Sequence, residues 1–350
     1  MKVAIINNKQ AARRELIRIV GESGGHEVVW STSSGVSAIE FCKAVRPELI
    51  LMDPLVRDVD GISVIRQIMA KTPCPILIVT GSVEDMHEMV FDALGAGAMD
   101  AVNTPILESK DYESAANTLL KKISIIKILT RDSQDLSASR RDTSTLNPLD
   151  QPSETNLIVI GCSSGGPEAL AQLLSDLPEG FQSPIVVVQH VDAAFAPGLA
   201  KWLNMKSVIP VELAMGGDEL VPGRVLVAAT NSHLVLSNDG RLTYSDDPAD
   251  LSYRPSVDVF FRSVARNWKQ SVTAIILTGM GKDGAQGMLE LQRKGAYTIA
   301  QDKHTSAVFG MPKAAIELGA AADVLPISRI AEVLIKMSQS RQPQAALVRQ

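Results

Sequence analysis

Aromatic side chains are scarce, 4% of 350 residues, so no core can be built mainly on Phe, Trp and Tyr. What remains to bury is aliphatic, which suits parallel sheets rich in Val, Ile and Leu. Cysteine is scarcer still. Cys42, Cys74 and Cys162 are the only three, too few and too scattered for a disulfide framework, and none has a CxxC or Cys/His metal spacing. No apolar run reaches the roughly 18 residues of a membrane span. The opening MKVAIINNKQ has a short apolar run and then polar residues, which reads as the edge strand of a domain rather than a signal peptide. A dominant charge is also missing: 34 Lys and Arg stand against 39 Asp and Glu, a formal net charge of −5. A mildly acidic chain is a poor general binder of nucleic acid, because backbone affinity comes from neutralising phosphates. These absences predict a soluble cytoplasmic protein with no membrane insertion and no nucleic-acid partner.

What is present is enough to fold. Hydrophobic residues are 45% of the chain and charged residues 21%, the balance of a globular protein. The length fits two domains or one large one. Residues 131–156, RDSQDLSASRRDTSTLNPLDQPSETN, hold almost nothing to bury and read as a linker. It separates domains at 1–130 and 157–337, and residues 338–350 read as a tail. In the first domain VAII, EVVW, LILM, ILIVT and AVNTP alternate with helical patterns, including one from Glu84 to Leu94. That alternation predicts an α/β fold with a doubly wound five-stranded sheet. The second domain begins alike, with LIVIG, IVVVQH, RVLVAA and AIILTG, and adds LVLS and RLTYS around Asn238-Asp239-Gly240. It is expected to be a second doubly wound parallel sheet with a β-hairpin excursion.

In such sheets chemistry sits at the carboxyl ends of the strands. Asp53 follows LILM, Thr80 ends ILIVT, Thr104 lies in AVNTP, and Asn7-Asn8 close the first strand. With DPLVRDVDG after the third strand, residues 1–125 resemble the receiver domain of two-component response regulators. The resemblance implies Asp53 as phospho-acceptor and Thr80 as the switch hydroxyl. Receivers also carry an acidic pair that holds Mg²⁺. Here Asn7 and Asn8 keep the oxygens and lose two negative charges, a degenerate metal site that puts Mg²⁺ in doubt. Thr104 stands where receivers place a lysine, so a cation for the phosphoryl group is missing too. The residues alone also allow Asp53 to be an ordinary carboxylate at a strand end. A degenerate receiver, serving as a lid or docking module, is the expectation.

In the second domain Gly161-Cys162-Ser163-Ser164-Gly165 fits G-x-S-x-G between a strand and a helical pattern, the setting of a nucleophile elbow. The amides of Ser164 and Gly165 would then face a developing oxyanion. A Gly-rich phosphate loop or a plain tight turn fits the same residues, although the lysine of the common phosphate loop is absent. Cys162 is a rival nucleophile, expected to point back into the sheet. A serine needs a base. Of the five histidines, His26 and His87 lie in the first domain, His233 precedes the hairpin, and His304 sits in a polar loop. Only His190 ends a strand on the serine's edge. Asp283, after AIIL in TGMGKDGAQGM, reaches that edge as the group to orient the base, unless it is merely a turn aspartate. The order Ser163, His190, Asp283 is not that of α/β-hydrolases, so a different fold is expected.

Five segments in order, IGCSSGGPEAL, VVVQHVDAAFAPGLA, YRPSVDVFF, LTGMGKDGAQGM and AQDKHTSAVFGMPKAA, resemble the catalytic domain of the CheB family of chemotaxis protein-glutamate methylesterases, over about residues 157–335. Receiver, linker and esterase are that family's architecture. HEVVW, PCPILIVT, VNTP, QHVDAAFAPG and the altered acidic pair resemble its WspF-like, surface-sensing branch. The resemblance implies Ser163 as nucleophile, His190 as general base, Asp283 as its orienter, Met280 beside the oxyanion and Arg254 at the substrate. It implies hydrolysis of glutamate γ-methyl esters on the cytoplasmic helices of a methyl-accepting chemoreceptor, with glutamine deamidation as a side activity. A chemosensory histidine kinase is the implied partner, and the esterase needs no metal or organic cofactor. Two other classes stay open: a response regulator whose second domain binds a nucleotide at GCSSGG, and a catalytically inactive scaffold.

Overall fold

The computed structural model describes residues 1–81, 86–107, 109, 112–132, 156–191, 193–251 and 253–339. The chain divides into two compact units, Met1–Ala138 and Ser139–Gln350. In the first, strands β1 (Lys2–Ile6), β2 (Glu27–Thr32), β3 (Leu49–Met52), β4 (Ile76–Thr80) and β5 (Asp100–Asn103) alternate with helices α1 (Gln10–Glu22), α2 (Gly35–Ala44), α3 (Gly61–Lys71), α4 (His87–Gly95) and α5 (Tyr112–Asp132). The strands pair in parallel in the order β2-β1-β3-β4-β5. The alternation is as expected, but β1 is not an edge strand. It lies between β2 and β3, because Val3, Ala4, Ile5 and Ile6 are fully buried and a strand apolar on both faces belongs inside a sheet. The helix expected from Glu84 is observed from His87; residues 82–85 lie outside the described residues.

The second unit contains strands β6 (Leu157–Cys162), β7 (Ile185–Gln189), β8 (Val211–Leu213), β9 (Val225–Val227), β10 (His233–Leu236), β11 (Leu242–Ser245), β12 (Val272–Ile276), β13 (Tyr297–Gln301) and β14 (Asp323–Leu325). Its helices are α6 (Gly166–Ser175), α7 (Ala196–Lys206), α8 (Val257–Asn267), α9 (Ala285–Arg293), α10 (Met311–Glu317) and α11 (Ile327–Gln339). Seven strands form one sheet in the order β14-β13-β12-β6-β7-β9-β8, every pair parallel. β10 and β11 form the expected antiparallel hairpin outside it. β8 (VEL) and β14 (DVL) escape a sequence reading because each is three residues long and carries an acidic residue, unlike the equally short but wholly apolar β9 (VLV). β13, YTIAQ, escapes it because it buries Thr298 and Gln301 among its apolar positions. The chain leaves β6 toward β7 on one side and returns through β12 on the other. β6 therefore marks the point where strand order reverses, where open α/β sheets place ligands.

Alternation along the strands gives the sheet two apolar faces. On one, Leu157 and Val159 of β6 and Val186 and Val188 of β7 meet Phe260 and Phe261 of α8, Met288 and Leu291 of α9, and Leu234, Leu236 and Leu242 of the hairpin. The helices α6, α7 and α11 pack as a separate group. The stretch read as a linker begins inside α5, which runs to Asp132, and residues 133–155 lie outside the described residues. α11 continues to Gln339, two residues into the stretch read as a tail; residues from 340 on lie outside the description. No described helix is long and apolar enough to cross a membrane. Phe260 is fully buried at the centre of the second core. Phe260→Ala is expected to cost about 3–5 kcal/mol, read as a lowered urea midpoint of the second unit; a loss under about 1 kcal/mol would show that the site collapses freely.

Candidate active site

Three neighbouring strands deliver the site. Cys162 pairs with Gln189 across β6 and β7, and Gly161 with Ile276 across β6 and β12. The ladders continue one step further: Ser163 N–H donates to Thr278 O at 3.1 Å and His190 N–H to Cys162 O at 3.0 Å. Ser163 and His190 thus leave adjacent strands at one level. Asp283 arrives from the loop after β12.

Ser163 stands in a strand–turn–helix. Its carbonyl accepts from Gly166 N–H at 2.8 Å and from Gln189 Nε2 at 2.9 Å. Gly165, the N-cap of α6, has φ 76°, a left-handed conformation that side chains disfavour. Gly279 lies so near that a Cβ on it would stand 2.9 Å from Ser163 Cβ, so bare backbone walls the serine on that side. Ser163 N–H is already bonded to Thr278, whereas nothing among the described residues accepts from the amides of Ser164 and Gly165. Those two remain available to an anion at the N-terminus of α6. Met280 follows Gly279 in the same wall and is half-buried.

His190 Nε2 lies 2.8 Å from Asp283 Oδ2, with both side chains nearly buried. A carboxylate only accepts, so Nε2 carries the proton and Nδ1 the lone pair. Nδ1 is buried and has no partner among the described residues. A buried unpaired acceptor is uncommon and asks for an explanation; here it is the free basic atom of the ring. Tyr253 lies flat on the imidazole, centroids 4.4 Å apart and planes 4° apart.

Asp283 is held at the start of α8. Oδ1 accepts from Ser256 Oγ at 2.8 Å and Asp258 N–H at 3.1 Å, and Oδ2 accepts from Val257 N–H at 2.7 Å. Desolvation alone would raise its pKa. The hydrogen bond and charge of His190 and the bonds from Ser256 and Val257 outweigh it, and the carboxyl sits below its ordinary value. Asp258, by contrast, is pushed up by burial, with the charge of Asp283 adding to the rise, although its Oδ1 accepts from Gly287 N–H at 2.7 Å.

The other sequence candidates go elsewhere. Cys162 is fully buried, and burial pushes its thiol far up, so it has neither access nor thiolate. Arg254 turns its guanidinium to the carbonyls of Asp246 and Ala249; its neighbour Tyr253 is the residue brought to the histidine. His233 is fully buried between Ser256 N–H and Pro248 O. His304 is exposed in its loop and His26 lies in the first unit; the side chain of His87 lies outside the description. Sequence reasoning missed Tyr253, Ser256, Thr278 and Gln189. Only Ser256 carried a usable signal, as an N-cap serine before the amphipathic run of α8.

In the first unit Asn7, Asp53, Thr80 and Thr104 are all buried at one sheet edge. Asn7 Oδ1 accepts from Lys9 N–H at 2.9 Å, which turns its amide nitrogen to Asp53 Oδ2 at 3.3 Å. Asn8 Oδ1 is buried without a partner among the described residues. Burial raises the Asp53 pKa, opposed by the Leu55 N–H bond and the charge of Lys9. Thr80 Oγ1 lies 3.0 Å from Met86 Sδ. Mg²⁺ asks for carboxylate oxygens. Here an amide donor and an ammonium charge face the one carboxylate, and these residues do not fit the ion.

Residues 158–334 match the family model for CheB methylesterase, and residues 3–115 that for the response regulator receiver domain. A protein-glutamate methylesterase/protein-glutamine glutaminase 2 of Burkholderia pseudomallei (strain 1710b) is 45% identical over 339 residues, 97% of this chain and 98% of its own. The protein-glutamate methylesterase/protein-glutamine glutaminase of group 3 operon of Pseudomonas putida (strain KT2440) is 46% identical over 332 residues, 95% of this chain and 97% of its own. The crystal structure of the Thermotoga maritima CheB methylesterase catalytic domain is 40% identical, with a TM-score of 0.49, covering 53% of this chain and 100% of that one.

Two expectations follow from the charges. Asp283, held low, contributes stability that is complete above the ordinary carboxylate pKa of about 3.9 and is lost as pH falls through its lower folded value. Urea unfolding of the second unit should therefore weaken below about pH 4, and Asp283→Asn should remove that part of the acid dependence; the same slope in the variant would contradict it. In the first unit, Asn7→Asp with Asn8→Asp returns two charges at nearly unchanged shape. A Mg²⁺ titration should show binding in the double variant and little in the unaltered chain, and equal affinities would show that the amides suffice.

Proposed function

The chain belongs to the CheB methylesterase family, with a response regulator receiver domain in its first unit, and on that premise we propose that it hydrolyses glutamate γ-methyl esters on chemoreceptor helices and deamidates glutamines there. The observation that carries the reading is the His190 Nε2–Asp283 bond, which leaves Nδ1 as a free base on the strand beside Ser163.

In the proposed reaction Ser163 Oγ attacks the ester carbonyl while His190 Nδ1 takes the hydroxyl proton. The amides of Ser164 and Gly165 face the oxyanion, and a pair of this kind contributes several kcal/mol. The imidazolium is stabilised by Asp283 through Nε2–H. As the tetrahedral intermediate collapses, the C–OCH₃ bond breaks and Nδ1–H protonates the departing oxygen, releasing methanol. Water then gives one proton to Nδ1 as its oxygen bonds the acyl carbon; on collapse the C–Oγ bond breaks and Nδ1–H protonates Ser163 Oγ, leaving a glutamate carboxylic acid that ionises to the carboxylate. A glutamine side chain follows the same course with ammonia leaving. A phosphate loop fits less well: the lysine of the common phosphate loop is absent, and Ser163 N–H is bonded to Thr278 O and Gly166 N–H to Ser163 O, which leaves only the amides of Ser164 and Gly165.

Within this proposal a chemosensory histidine kinase is the partner of the receiver unit, which serves as a lid or docking module, and the pathway is of the WspF-like kind. Incubating the full chain with methyl-labelled receptor and counting methanol tests the reaction. Ser163→Ala and His190→Ala should each reduce release by on the order of 10⁴-fold or more, while Cys162→Ala keeps it. Retained turnover in Ser163→Ala together with loss in Cys162→Ala would reassign the nucleophile.

A further inference from the structure

A second histidine stands behind Asp283. His233 opens β10 and is fully buried. Its Nε2 lies 3.0 Å from Pro248 O and its Nδ1 3.1 Å from Ser256 N. A carbonyl only accepts and an amide N–H only donates, so the two contacts specify one neutral tautomer, protonated on Nε2. Ser256, buried as well, uses its hydroxyl twice. It accepts from Val259 N–H at 3.3 Å as the N-cap of α8, and donates to Asp283 Oδ1 at 2.8 Å.

Helix capping requires only the acceptor. The proton given to Asp283 is additional, and so is the histidine that fixes the serine's backbone. Together they make one line of donors and acceptors, each satisfied in a single direction. Pro248 carbonyl receives from His233, His233 receives from Ser256, and Ser256 gives to Asp283, which in turn receives from His190.

We propose that Ser256, set in place by His233, is a positioning residue of the hydrolytic reaction, fixing the plane of the Asp283 carboxylate so that Oδ2 faces His190 Nε2. Without the Ser256 donor Oδ1 would keep only the longer Asp258 N–H bond while Oδ2 kept that of Val257, so the carboxylate could tilt from the plane that faces His190. A misaimed carboxylate supports the imidazolium poorly, and a misplacement of about 1 Å costs up to roughly 100-fold. The groups that face Asp283 are His190 from the end of β7, Tyr253 from the loop before α8, and Asp258 on α8. With the Ser256 donor gone and the carboxylate less well aimed, the His190 imidazolium is stabilised less, so the acidic fall-off of the rate moves to lower pH.

The inference rests on the proposed esterase reading, and two substrates keep the two apart. The full chain is assayed on a peptide bearing a glutamate γ-methyl ester and on p-nitrophenyl acetate, with folding followed by circular dichroism. Ser256→Ala should lower kcat about 10- to 100-fold on every substrate the unaltered chain hydrolyses. KM should change little, and the acidic limb should move down in pH. Ser256→Thr, which keeps the hydroxyl, should restore both. His233→Leu should follow Ser256→Ala, while His233→Asn, which keeps an acceptor near Nδ1, should lie closer to the unaltered chain. Unchanged kcat and profile in Ser256→Ala would overturn the proposal, as would equal losses in the Ala and Thr variants with an unmoved profile. Normal rates in His233→Leu would overturn the histidine's part. Turnover of p-nitrophenyl acetate without methanol from the glutamate ester would sink the substrate reading and leave the positioning inference standing. No turnover of either would end both.

Discussion

The carboxylate of Asp283 is the point on which the second unit turns. A buried negative charge is costly unless hydrogen bonds and an opposite charge compensate it. Here the first turn of α8 supplies amides and a capping hydroxyl, and the helix dipole adds to them. The arrangement is reciprocal: Asp283 precedes α9 and is held by α8, while Asp258 belongs to α8 and is held by the Gly287 amide of α9. The exchange locks two helices that share one apolar core under β6, β7 and β12. The carboxylate bonded to His190 is therefore also a fastener of the fold, and neither contact can be altered alone.

Much of this was legible from one-dimensional pattern. Short aliphatic runs between helical patterns gave both parallel sheets, and the strand-end rule brought Ser163, His190 and Asp283 to one edge. What failed was whatever depends on pairing. β1 reads as an edge when only its place at the start of the chain is weighed; its unbroken apolar run, VAII, is the mark of a strand buried on both faces, and the structure puts it between β2 and β3. β8, β13 and β14 were missed because their length or buried polar residues give no periodic signal. Arg254, which the family resemblance names, bonds the carbonyls of Asp246 and Ala249, and the flat face of Tyr253 beside it reaches His190. The partner of a backbone amide, such as His233 for Ser256, is fixed by tertiary approach and leaves no mark in spacing.

The two sheets treat their strand-end carboxylates differently. Asp283 is surrounded by donors and stays charged easily. Asp53 is pushed toward its neutral form by burial, with one backbone amide, a side-chain amide and the charge of Lys9 about it. Asn7 and Asn8 occupy nearly the volume of aspartates, so the loop after β1 keeps its shape while its charge changes. A geometry can survive while the electrostatics that used it are rewritten.

The strand order carries a consequence for synthesis. β6 is the first strand of its sheet to leave the ribosome, but its neighbour β12 lies more than a hundred residues downstream. A nascent chain that has exposed Ser163 and His190 still lacks Asp283, the Thr278 carbonyl that pins the serine, and the α8 turn that holds the aspartate. Long-range parallel pairing of this kind forms late. The proposed nucleophile is thus unarmed until the chain has been made through Asp283 and the α8 turn has closed on it.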